Sequence, residues 1–247
     1  MSAVKFEICV DSIAGVRAAR DAGAERVELC GNLLEGGTTP SLGTILVARK
    51  VADIKIHVMI RPRGGDFCYS PVELDVMRRD IAAAHALGAD GVVLGLLRPD
   101  GTVDRRRTRA LIALARPLDV TFHRAIDVAR DPIAALDDLL ALGVDRVLTS
   151  GQSRTALAGA RVIAALVERA AGRLEVLAGG GVDETNAREV VAHTGVREIH
   201  VRGTSPAKSA MRYKSRRVRM GGAAPADEFT LPVTDARRIR RIVQRVT

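Results

Sequence analysis

Four times along the chain, a glycine closing an Ala/Leu/Val-rich amphipathic stretch runs straight into a β-branched segment: GAERVEL at residues 23–29, GADGVVL at 88–94, GVDRVLT at 143–149 and GVREIHV at 195–201. The physical reading is a helix ended by a residue in the left-handed conformation, then a short turn and a strand. Four further strand-like runs fall between these, at 6–10, 56–61, 119–123 and 174–178. Interleaved, the two sets give eight strands alternating with helices. Alternating βα units call for a parallel sheet, and eight of them closed on themselves make a (β/α)8 TIM-type barrel. An open doubly wound sheet is the runner-up, but neither a G-x-G-x-x-G fingerprint nor a P-loop occurs.

The length of 247 residues suits one such α/β domain, residues 1–247, and no linker composition divides it. Hydrophobic residues make up 47% of the chain but aromatics only 2%, so the core must be Val, Leu, Ile and Ala. Beyond the eighth strand, residues 205–222 read as a polar, basic loop. Residues 235–246 read as a last amphipathic helix, entered through Thr234.

The formal charge of +9 raises the question of nucleic acid. Arginines are spread through most predicted helices, and the two dense runs, 212–219 and 237–245, have no aromatic platform between them for stacking bases. A solvated Arg-rich surface is the expectation, with nucleic acid unlikely as a partner. Cys9, Cys30 and Cys68 form no paired framework and no C-x-x-C, which indicates a reducing, cytoplasmic setting. No window approaches the ~20 apolar residues of a membrane helix, so no membrane partner is expected.

Chemistry enters through strand parity. Side chains alternate across a barrel strand, so each strand has one face toward the axis. The aliphatic sets (Phe6 and Ile8, Val27 and Leu29, Val58 and Ile60, Val120 and Phe122, Ile199 and Val201) turn outward to the helices. That leaves Glu7 and Cys9, Glu28 and Cys30, His57, Met59 and Arg61, Thr121 and His123, and His200 and Arg202 pointing inward. A structural barrel interior is normally aliphatic. So many ionisable groups imply either internal ion pairs, with Glu7 or Glu28 against Arg61 or Arg202, or a ligand site at the strand C-termini.

The loops at that end favour an anion. LAGGGVDETN at 177–186 follows strand seven and RGTSP at 202–206 follows strand eight, where this fold commonly binds phosphate. Gly179, Gly180, Gly181, His200, Arg202 and Gly203 are the candidates there. Arg61 and Arg63, in RPRGGD at 61–66, offer guanidinium forks for carboxylate or phosphate. His123 and Asp127 end strand five. Glu7, Glu28 and His123 are the acid/base candidates. His85 and His193 fall on predicted helices as ordinary surface residues. Cys9 and Cys30 come close if strands one and two pair in register, and two thiolates, with Met59 near, are soft ligands suited to Cu(I). The competing reading is plain core packing of free cysteines. Cys68 is a weaker third candidate.

Taken together, EIC at 7–9, RVELC at 26–30, EGGTTPSLG at 35–43, IRPRGGDF at 60–67, TFHRAID at 121–127, LTSGQ at 148–152, AGGGV at 178–182 and VRGT at 201–204 resemble the copper homeostasis protein CutC family. The resemblance runs in family order over roughly residues 4 to 215. It implies a single TIM-type barrel, cytoplasmic and homo-oligomeric (a dimer or tetramer), concerned with copper tolerance. It also implies Cys9 and Cys30 as the copper ligands. The alternative is a barrel enzyme acting on a small phosphorylated or carboxylated metabolite.

Overall fold

A computed structural model describes residues 4–51, 53–215, 217–218 and 228–246. Eight parallel strands close into a barrel: β1 (Lys5–Val10), β2 (Arg26–Leu29), β3 (Lys55–Met59), β4 (Gly91–Leu94), β5 (Asp119–Phe122), β6 (Arg146–Thr149), β7 (Glu175–Gly179) and β8 (Glu198–Val201). Closure is made by β8 on β1, with Glu7 opposite His200. Between the strands run α1 (Ile13–Asp21), α2 (Leu42–Val51), α3 (Pro71–Ala86), α4 (Arg105–Ala115), α5 (Pro132–Leu142), α6 (Ala160–Ala170) and α7 (Ala187–Thr194).

The glycine echo has the cause its spacing suggests. Gly23, Gly88, Gly143 and Gly195 all have φ between +71° and +81°. At three of them a Cβ would meet nothing within 4 Å, so backbone conformation rather than space requires glycine there. Helix starts are equally local. Ser70 and Glu73 form a reciprocal capping box ahead of Pro71, and Asp131 accepts the amides of Ile133 and Ala134 ahead of Pro132.

Strand parity is also realised. The outward residues Ile8, Val27, Leu29, Val58, Phe122 and Ile199 join one continuous aliphatic layer between barrel and helices. Cys9, Cys30, Met59 and Val93 form a separate small cluster inside the barrel.

The chain departs from expectation after β8. The expected basic loop at 205–222 begins instead as a strand, β9 (Thr204–Lys208), paired antiparallel with β10 (Thr230–Thr234). Alternation there (Ser205, Ala207 against Pro206, Lys208) is too short and polar to read as a strand without its partner. Residues 216 and 219–222 of that loop lie outside the described residues. The hairpin is an insertion, because α8 (Ala236–Val246) then packs against α7 and α1 as the barrel's eighth helix. Its N-terminus is capped by Asp235, which accepts the amides of Arg237 and Arg238, rather than by Thr234. Ile239 and Ile242 are buried while Arg237, Arg240, Arg241 and Arg245 face solvent. Among the described residues no helix is long and apolar enough to cross a membrane.

Candidate functional site

Parity carries further down the strands than the cysteines. Arg26 lies two residues before Glu28, and Glu198 two before His200, so both also point inward, at the N-terminal end of the barrel. Arg26 is 3% exposed; its Nε donates to Glu7 Oε2 at 2.6 Å and its Nη2 to Glu198 Oε2. Arg146 adds bonds to Glu198 and to Asp119, each at 3.2 Å. Glu7 therefore pairs with Arg26 rather than with Arg61 or Arg202. Burial alone would raise the Glu7 carboxyl, but Arg26 and then His200 hold it well below the usual carboxylate range.

This floor orients what stands above it. Glu7 Oε1 lies 2.7 Å from His200 Nδ1, and His200 Nε2 lies 3.8 Å from Glu28 Oε2. The sulfurs of Cys9 and Cys30 and a Glu28 oxygen all lie within 4.8 Å of one another, as do ligand atoms of Glu7, Glu28 and His200. Register explains the meeting: Cys9 pairs with Glu28, and the Cys30 amide donates to Val10. Cys30 Sγ also sits 3.5 Å from Glu28 Oε2.

The cluster shares its protons unevenly. A hydrogen bond from Cys30 lowers the Cys9 thiol well below its usual range, against burial and with help from His200. The same bond, reinforced by burial, raises Cys30. Burial and the Cys9 charge raise Glu28. Burial works against a charged His200, but Glu28, Cys9 and Glu7 outweigh it and hold the imidazole well above its ordinary value. The four groups therefore titrate as one coupled cluster, with Cys9 and His200 pushed toward their charged forms and Cys30 and Glu28 toward their neutral ones.

A cavity of about 560 Å³ opens above the strand C-termini. Cys9, Glu28, Met59 and His200 line its base, and Cys30 sits just behind, under the backbone of Gly37. His123 lines the opposite side from β5, its ring in the space left by Gly95, where a Cβ would fall 2.5 Å from it. Its Nδ1 accepts the Ala125 amide at 3.2 Å, and burial, helped by Arg61, pushes its pKa down to about 3. The ring is neutral with its proton on Nε2, which is buried and has no partner. Glu28 Oε1 is also buried and unpartnered.

The loop candidates divide. Gly180, Gly181 and Arg202 line the cavity, and Arg202 has no hydrogen-bond or ion-pair partner among the described residues. Gly179 lies alongside, against Leu148 and His200. Arg61 lines the cavity, but its guanidinium donates to the carbonyls of Glu35, Gly37 and Gly65 and so staples loops. Asp127 also lines it, with its oxygens taken by Arg124, Thr149, Ser150 and Gln152; it shapes the loop after β6. Arg63 is bound to Glu73 and Asp66 outside the cavity. Gly203 faces Ile239 of α8, and Cys68 is exposed and apart from the other thiols.

Sequence and structure comparisons identify the family and the barrel fold. The CutC family model matches residues 4–205. The chain belongs to the CutC family. It is 45% identical over 96% of its length to a human protein named copper homeostasis protein cutC homolog, covering 87% of that protein. It is 50% identical to a CutC family protein of Chromobacterium violaceum, over 96% of each chain. A solved CutC structure from Streptococcus agalactiae superposes with a TM-score of 0.77 at 38% identity, covering 80% of this chain and 98% of that one.

Proposed function

We propose that this CutC-family barrel is a cytoplasmic copper-handling protein that holds Cu(I), as cargo, through Cys9 and Cys30. The observation that carries the reading is the convergence of two buried sulfurs and a Glu28 oxygen within 4.8 Å. Two thiolates beside the Met59 thioether are a soft donor set, which suits Cu(I) better than hard cations. The Cys9 thiol is already held toward its ionised form by Cys30 and His200, whereas the Cys30 thiol must give up its proton to bind. Cys9 lines the cavity and Cys30 lies behind it, so an ion can reach the pair from the cavity. The copper homeostasis name of the human relative is consistent with this cargo. A homo-oligomer, dimer or tetramer, goes with the family resemblance, and sedimentation equilibrium of the purified chain checks it.

The test is an anaerobic Cu(I) titration of the full chain against a competing chelator, wild type beside Cys9→Ser/Cys30→Ser. Stoichiometric binding in the wild type, lost in the double variant, is expected. Binding that survives both substitutions overturns the proposal.

A further inference from the structure

A pair of thiols accounts for one corner of the cavity only. The remaining walls carry polar groups that copper at Cys9 and Cys30 leaves without partners. On the β7–β8 side, the amides of Gly180, Gly181 and Val182 have no acceptor among the described residues. The unpaired Arg202 guanidinium stands on the same side, and a Cβ on Gly180 would lie 3.6 Å from the Arg124 guanidinium. Successive free amides beside arginines form an anion cradle. Across the barrel, His123 and Glu28 line the same cavity, and His123 Nε2 and Glu28 Oε1 are buried and lack partners. Buried polar atoms are seldom left so.

We infer that the cavity binds a small hydroxylated phosphomonoester, its phosphate on the Gly180–Val182 amides and Arg202 and its oxygen-bearing end against His123 and Glu28. Several amides and a guanidinium suit a group with three terminal oxygens better than a planar carboxylate with two. The Nε2–H of neutral His123 is a donor and selects a hydroxyl or carbonyl oxygen; a hydroxyl can pair with Glu28 Oε1 in either direction. A volume of about 560 Å³ exceeds what a bare ion fills and falls within the range of metabolite pockets. This binding site does not depend on copper occupying the thiols.

Isothermal titration of the full chain with glycerol 3-phosphate, inorganic phosphate, glycerol and lactate tests it. Glycerol 3-phosphate should bind more tightly than the other three. Arg202→Met, at an exposed position, should weaken both phosphate probes by about tenfold or more, the scale of a lost charge-assisted hydrogen bond. His123→Phe should weaken glycerol 3-phosphate by a similar factor and leave inorganic phosphate unchanged. The titrations are run without copper, so their outcome is read independently of the copper reading. The inference is overturned by the absence of phosphate-probe binding, by lactate matching the ester, or by Arg202→Met leaving affinity unchanged.

Discussion

At the scale of single residues, His57 shows how burial sets chemistry inside this barrel. It is fully buried, neither ring nitrogen has a hydrogen bond, and burial, opposed by Glu7, lowers its pKa to about 4. The unfolded chain, with an ordinary value near 6.5, takes up a proton first as pH falls. Folding is therefore fully supported by this residue above about pH 6.5 and loses that support as pH falls toward 4. Glu28, raised by burial, acts in the opposite direction, so His57 is isolated only by difference. The stability of wild type relative to His57→Met should fall by on the order of 2 kcal/mol from pH 6.5 to 4.5. Urea unfolding at the two pH values measures it, and a constant gap would show that His57 titrates normally. Parity alone places His57 inside. Its lack of hydrogen-bond partners depends on neighbours from several strands, which a single chain of letters does not align.

At the scale of elements, the barrel strands and the helix-closing glycines were legible because their signals are local: a period of two, and a turn that needs positive φ. The end of the chain was less legible. β9 and β10 lie more than twenty residues apart, and each acquires strand character only from the other. Gly203, expected at an anion, instead lets α8 sit on the end of β8: a Cβ there would fall 2.6 Å from Ile239 Cγ1, at a φ of +53°. The two residues should therefore be energetically coupled. Ile239→Ala should cost about 2–5 kcal/mol as a buried truncation. Gly203→Ala should cost more than the usual surface change, through both strain and clash. The double variant should fall short of the sum by about 0.5–3 kcal/mol, because the shortened side chain accommodates the new methyl. Additive losses in urea unfolding would mean α8 is not seated through this contact.

At the scale of the whole molecule, the barrel interior is a single charged column from floor to mouth: Asp119, Arg146, Glu198, Arg26, Glu7, His200, then Glu28 and the thiols. Its upper half could be read from strand parity. Arg26 and Glu198 obey the same parity two residues earlier, but pairing Glu7 with a guanidinium required knowing how far Arg61 reaches, and Arg61 is spent on loop carbonyls. The column predicts a sharp asymmetry. Arg26→Met leaves Glu7 and Glu198 as two buried carboxylates that have lost their shared guanidinium, and removing one partner of a buried pair costs about 3–5 kcal/mol. Adding Glu7→Gln and Glu198→Gln removes the stranded charges, so the triple variant should regain much of that loss even though it contains fewer ion pairs. Urea unfolding of the wild type, single and triple variants decides it. Recovery locates the cost in uncompensated charge. A triple variant as unstable as the single one would mean that the hydrogen bonds and shape of Arg26, rather than its charge, hold the floor beneath His200.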